Sequence, residues 1–353
     1  MLTTYAAIAS VRKTGFKASL PIIQFKNYNS TNQYTDSSGN VYTNYVYLTT
    51  GSSKQAVVCN GFTGTIHALI VGGGAPGTTG TGNPCSGGSA GAMVCAHYAL
   101  TNSSDTITSY VANSTVELTN VQGPNGDNSS LTFSSTTTLN TVAQGAGGSG
   151  VNNAGAQNGA SHGNGCGGAA GRYSAAVGGV TLATGYTFAQ EFSTNGINSD
   201  NANCGMAGSG AAAAGSNTGA ATPLRGGAGR QVPAGYGIST YYYYCGGGGG
   251  YCNVNTYSNT ANALKGGIGG GGGGCDVSSS SNTYLGGGQT GFGARDDAGT
   301  GGTTSSGSNG NGAKSGGNAA PNSGSGGGAG LTTTAGTGAS GIIILSILTS
   351  SLP

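Results

Sequence analysis

The sequence predicts a mostly irregular and β fold: a bundle or sandwich of extended, polyproline-II-like glycine segments closed by a few β-strands, with little or no α-helix. Three observations carry this. Glycine makes up 75 of the 353 residues and is gathered into blocks, among them Gly72 to Gly74, Gly246 to Gly250, Gly266 to Gly274 and Gly324 to Gly330. Aliphatic, β-branched runs abut the blocks, as Ile66 to Val71 runs into Gly72 and as Ile342 to Leu345 follows Gly341. Almost no segment carries the spacing of a helix of normal length.

Glycine gives up more backbone freedom on folding than any other residue and buries no side chain in return, so an ordered block needs a geometric reason. Close approach of backbones supplies one. A polyproline-II chain has three residues per turn and no internal hydrogen bonds, which leaves its amides free to bond laterally. Such chains pack side by side only where side chains vanish. The alternative at this level is low-complexity disorder, which a Gly-rich and Ser-rich composition without a strict period also fits.

Two regions follow from the change of composition. Residues 1–60 hold the more ordinary sequence: an arm with Arg12, Lys13 and Lys17, the apolar stretch Leu20 to Phe25, and the alternating Val41 to Leu48, which reads as a half-buried strand. This region is expected to be an N-terminal attachment or β module. Residues 61–353 form the glycine-rich domain with polar and aromatic loops. Within it, Ile66 to Val71 and Ser340 to Leu348 are expected to pair or pack together and close the domain. Val116 to Leu118 and Leu131 to Phe133 read as a hairpin around the turn formers Gly123, Pro124, Asn125 and Gly126. Ala211 to Ala214, bracketed by Gly210 and Gly215, reads as a further pass through the core.

Charge excludes several functions. Eleven Lys and Arg stand against nine Asp and Glu, a net charge of +2 with 6% of residues charged. This leaves no electrostatic handle for nucleic acid or an anionic membrane, and so sparsely charged a surface tends to associate. No run approaches the ~18 apolar residues of a membrane-spanning helix. Met1 to Ser10 lacks a basic start and makes a poor signal peptide.

The eight cysteines, Cys59, Cys85, Cys95, Cys166, Cys204, Cys245, Cys252 and Cys275, contain no CxxC pair. They read as structural thiols or disulfides of undetermined pairing rather than metal ligands. Asn29, Asn102, Asn113 and Asn128 lie in glycosylation sequons, a weak signal in a chain so rich in Ser, Thr and Asn.

Catalytic motifs dissolve on inspection. Matches to GxGxxG do not follow a strand and open a helix with an acid beyond, as dinucleotide binding requires. In Gly307 to Ser315, Ala313 separates Gly312 from Lys314 and breaks a phosphate loop. His67, His97 and His162 pair with no readable acid or nucleophile, and Asp296 and Asp297 are adjacent rather than opposed. The chain is expected not to be an enzyme and to need no cofactor or metal.

Aromatic loops are the candidates for recognition. Tyr241, Tyr242, Tyr243 and Tyr244 stand in a row before Cys245, with Tyr236, Tyr251 and Tyr257 nearby. Tyrosine offers rigid amphipathic area at low entropic cost. An extended row points alternate rings to opposite sides, two to the core and two to solvent or a neighbour. Shielding the ends of the glycine passes, a subunit contact and recognition of a host ligand all remain open for these seven residues. The same holds for Tyr173, Phe188, Phe192, Tyr284 and Phe292.

The run LIVGGG from Leu69 to Gly74, the alternation of blocks with polar and aromatic loops, and the closing SGIIIL from Ser340 to Leu345 resemble the glycine-rich domain of phage and viral fibre and surface proteins. The likeness extends to the tail-fibre adhesins of T-even-like bacteriophages and covers residues 61 to about 348. The resemblance implies a sandwich of polyglycine II helices with variable loops at one end, and a virion structural protein: a surface, fibre or minor capsid component. Its partners would be other virion proteins and a host surface receptor or glycan, and its place the virion surface or extracellular space. The eight cysteines and the N-terminal region depart from that pattern. An extracellular matrix or ice-binding protein is the alternative, against which stands the lack of a regular Thr face or of a three-residue sequence period through the blocks.

Overall fold

A computed structural model describes residues 21–79, 85–116, 123–150, 188–192, 205, 207–215, 224–252, 265–276, 283–284, 310–311, 315–330 and 334–352. These residues are mostly β, with two short 3-10 turns, Thr137–Leu139 and Thr349–Ser351, and no α-helix. No helix among them is long and apolar enough to cross a membrane.

In chain order the strands are β1 (Ile22–Phe25), β2 (Ser30–Thr35), β3 (Val41–Tyr47), β4 (Lys54–Asn60), β5 (Phe62–Val71), β6 (Met93–Ser103), β7 (Thr106–Tyr110), β8 (Ser129–Phe133), β9 (Thr141–Ala143) and β10 (Ala189–Phe192). Six two-residue strands follow: β11 (Arg230–Gln231), β12 (Tyr243–Tyr244), β13 (Tyr251–Cys252), β14 (Cys275–Asp276), β15 (Thr283–Tyr284) and β16 (Gly310–Asn311). β17 (Ile342–Leu348) is the last. One sheet runs β1-β4-β7-β8-β9 and a larger one β10-β6-β5-β17-β3-β2.

The two sheets face each other across one apolar core. Ile23, Val57, Ile107, Leu131 and Phe133 project from the smaller sheet, and Ile66, Ile70, Tyr98, Ile343 and Leu345 from the larger, all buried. Side-chain alternation explains the sorting: along β5, Ile66, Ala68 and Ile70 enter this core while Leu69 and Val71 face the other way. β17 lies between β5 and β3 and is buried on both faces, which accounts for its unbroken apolar run. It pairs with β5 from Ile342↔Val71 to Ile347↔Ile66, joining the two segments expected to close the domain.

The expected boundary at residue 60 falls between β4 and β5, and both sheets cross it. β3 pairs with β17, and β4 with β7. The basic arm of residues 1–20 lies outside the described residues. Of the hairpin expected between Val116 to Leu118 and Leu131 to Phe133, residues 117–118 lie outside the described residues; Leu131 to Phe133 fall in β8, which pairs with β7, Ile107 opposite Phe133, and with β9. The alanine run is not a core pass. Ala211 is buried, but Ala212 to Ala214 are exposed in a bend, with Ala212 and Ala213 donating to Ala228 O.

At one end of the sandwich the strands continue as glycine passes. β5 runs into 72–79, β6 is entered from 85–92, β8 from 123–128 and β17 from 334–341. Along the first pass successive amides address three neighbours in rotation. Gly72 donates to Ala92 O at 2.9 Å, Gly73 to Asp127 O at 2.8 Å and Gly74 to Ala339 O at 2.9 Å. Ala75 then returns to the first neighbour at Ser89 O, Gly77 to the third at Gly336 O, and Thr78 to the first again at Ser86 O. The same spacing of three recurs where Gly205, Gly208 and Ala211 donate to Tyr251, Gly248 and Cys245. Those pairs run antiparallel; Gly326 to Gly246 O and Ala329 to Gly249 O run parallel.

This lattice has no room for Cβ. A methyl group at Gly88 would stand 2.0 Å from Ala75 O, one at Gly248 2.0 Å from Gly327 O, and one at Gly326 1.8 Å from Gly88 O. Backbone atoms cannot yield as the end of a flexible side chain can. Where a pass carries a side chain, it is small: Ser89, Ala90, Ser209, Ser325 and Ala329 are all buried. Cys59 and Cys95 are buried free thiols, and Cys85, Cys245 and Cys275 are also buried.

Gly88→Ala is therefore expected to destabilise the protein by more than about 3 kcal/mol in urea unfolding, through overpacking against backbone. Val116→Ala, at a position 63% exposed, is expected to change stability by less than about 0.5 kcal/mol.

Candidate functional site

The outer face of the larger sheet is covered by the segment that holds the tyrosine row. Val46, Leu69, Val71, Met93 and Ile344 on the sheet meet Val232, Tyr236, Ile238 and Tyr244 from that segment. Its two arms pair as β11 and β12, Arg230 opposite Tyr244 and Gln231 opposite Tyr243. The Arg230 guanidinium lies 4.8 Å above the Phe192 ring, which ties the segment to β10 at the sheet edge.

The row begins in a turn at Tyr241 and enters β12 at Tyr243. Tyr244 is fully buried and Tyr242 packs half-buried against the same apolar cluster. Tyr241 is 60% exposed, and Tyr243 is half-buried beside a cavity of about 570 Å³ with Arg230, Pro233 and Thr240. Tyr251 is buried with Cys85, Cys275 and Ala329, and Tyr236 is buried on the sheet. Thus Tyr236, Tyr244 and Tyr251 are packing residues, and Tyr241, Tyr242 and Tyr243 form the accessible part. Phe188 packs 5.7 Å from the Tyr98 ring. Tyr257, Tyr173 and Phe292 lie outside the described residues, and Tyr284 falls in β15.

Tyr236 is set by its neighbours. Gly235 and Gly237 have φ of +93° and +63°, and a Cβ on Gly237 would also stand 2.4 Å from Tyr42 Cδ1. Glycine is needed there on both counts. Ser346 Oγ donates to Gly237 O at 3.0 Å and fixes the loop to β17. The Tyr236 ring then stacks on His97, with centroids 4.2 Å apart and planes 18° from parallel. Burial pushes its hydroxyl up to about 12, reinforced by Cys95.

His97 is directly opposite His67 in the β5–β6 register, and their Nδ1 atoms are 2.8 Å apart. One ring donates and the other accepts, so the two rings cannot both be protonated. Burial, with the His97 ring beside it, pushes His67 down to about 4, and burial also lowers His97. The sequence leaves the two histidines unconnected because only the strand register brings them together. Among the described residues, no three His, Cys, Asp or Glu side chains converge.

A second cavity, of about 370 Å³, lies between the β2–β3 hairpin and residues 238–242. Asn32, Asn44, Tyr34, Ser239 and Tyr242 line it, over Ile238 and Ile344. Of these, only Tyr242 was a candidate from sequence. The readable signal for Asn44 is an amide two residues before the apolar Val46 on the same face of the strand, the face that the tyrosine-row segment covers.

No protein-family model, no curated protein and no solved structure matches the chain.

Two outcomes are expected. A histidine held below its unfolded pKa takes up fewer protons folded than unfolded, so stability is full above about 6.5 and falls as pH drops toward about 4. His67→Asn should flatten that slope in urea midpoints measured from pH 8 to 4. Tyr244 Oη is buried without a partner, so Tyr244→Phe should leave stability unchanged or raise it by about 1 kcal/mol.

Proposed function

We propose that the chain is a virion structural protein, a surface, fibre or minor capsid component whose glycine passes form a polyglycine II sandwich and give a rigid scaffold for display. The observation that carries this is the lattice of backbone hydrogen bonds, whose donors return to the same neighbour at every third residue. Three residues per turn is the period of the polyproline-II helix, and such a lattice suits rigidity better than turnover. The resemblance of LIVGGG and SGIIIL to viral fibre and surface domains supports the same reading. So does the sparse charge of the chain, which favours residence in an assembly.

Within that role, the accessible tyrosines of the segment over the larger sheet make the contact with a host receptor or with a neighbouring virion subunit. Tyr241 is the rigid, exposed anchor such a contact requires. The role is non-catalytic.

An antibody against residues 224–252 is expected to label the outside of intact particles that carry the protein; particles that lack the chain, or hold it only inside, would overturn the surface reading. Tyr241→Ala should keep the thermal midpoint of the purified chain. It should weaken cell attachment or particle incorporation at least about ten-fold, the scale of losing one anchor. Attachment lost with incorporation intact marks receptor recognition, and the reverse marks assembly.

A further inference from the structure

The cavity between the β2–β3 hairpin and residues 238–242 holds a feature that packing does not explain. Asn44 is at the middle of β3 and only 3% exposed. Its Nδ2 donates to Asn32 Oδ1 at 3.0 Å, but its Oδ1 accepts no hydrogen bond. A buried acceptor without a donor lowers stability, and a leucine of the same shape would fill the position without that penalty. Tyr244 Oη and Thr79 Oγ1 are also buried without partners. Tyr244, however, is enclosed by the apolar cluster over the sheet, and Thr79 is buried at the end of the first glycine pass, whereas Asn44 lines a cavity.

The chemistry of the walls narrows the occupant. The volume, about 370 Å³, falls within the range of ~300–1,000 Å³ that small-molecule clefts occupy. No lining residue carries a charge at neutral pH, so neither a phosphate nor a carboxylate finds a counter-ion there. The polar lining instead combines amides, each both donor and acceptor, with the Ser239 hydroxyl. Two tyrosine rings, Tyr34 and Tyr242, add flat half-buried apolar area. A ligand that matches these walls is neutral, carries several hydroxyls able to donate and accept, and presents an apolar C–H face to an aromatic ring. A pyranose has all three properties.

We infer that this cavity binds a neutral sugar ring, one of whose hydroxyls donates to Asn44 Oδ1 after the Asn44 amide, whose oxygen is closed off in the free chain, turns toward the cavity, while the ring packs on Tyr242. The inference deepens the display role proposed above and rests on it for the source of the sugar, a glycan on a host surface. It places recognition beside the tyrosine row, on the side facing the β2–β3 edge, where Tyr242 is shared between the apolar cluster and the cavity.

The test is saturation-transfer difference NMR on the full-length chain with D-glucose, D-galactose, D-mannose and N-acetylglucosamine, with sialic acid and adenosine as comparison ligands. At least one neutral sugar is expected to give a signal that Asn44→Leu weakens about ten-fold or more, the scale of one lost hydrogen bond to a buried group. Asn44→Leu should meanwhile hold or raise the thermal midpoint, because a residue kept for a ligand is replaced by one that fits the unliganded protein. Tyr34→Ala, at the half-buried edge strand, is a second variant and should weaken the same signal should Asn44→Leu not fold. Absence of a signal from all four sugars, a signal unchanged in these variants, or a response to adenosine alone would overturn the inference. Antibody labelling of particles without sugar binding overturns the cavity assignment only, and sugar binding by a chain absent from particle surfaces overturns the virion role only.

Discussion

Backbones in this protein approach one another more closely than a Cβ atom permits, and the rest of the architecture depends on that approach. A methyl group at Gly205 would stand 1.7 Å from Cys85 O, and similar collisions await at Gly272 and Gly336. Removing side chains brings amides and carbonyls of separate passes within hydrogen-bond reach, so each pass is satisfied by its neighbours, as buried peptide groups must be. The loss of glycine's backbone entropy is offset by many lateral bonds and by dispersion between atoms in contact. Nothing in such a lattice is apolar enough to drive collapse alone.

That driving force comes from the sandwich. Burying an aliphatic or aromatic side chain contributes roughly 1.5–3 kcal/mol, and these residues are concentrated between the two sheets and under the segment at 228–245. Because the strands pass without interruption into the glycine passes, a registered sheet delivers several chains to the lattice already side by side. Pairing of β5 with β6 and β17 sets the spacing from which Gly72, Gly91 and Gly341 begin. The sandwich is thus the clamp of the glycine layer.

Much of this was legible in the sequence, for identifiable reasons. Glycine blocks next to β-branched runs announce both the close approach and the strands that deliver it, and β5, β17 and β3 lie where alternation or apolar runs place them. Partners were less legible than elements. Leu131 to Phe133 is a strand, but which strand it joins is decided by the register of a whole sheet. Ala212 to Ala214 are small enough for the core yet fall in a bend, since composition does not say where the chain reverses. In the candidate site, alternation sorted the rings of Tyr241 to Tyr244, while Asn44 and the His67–His97 pair were hidden because each acquires meaning only from a cross-strand neighbour.

The rotation of donors along each pass also governs how such a protein can change over evolutionary time. A pass lengthened or shortened by three residues presents its donors to the same neighbours, while a change of one or two directs every later donor to the wrong chain. Insertions and deletions inside the glycine layer are therefore quantised in threes.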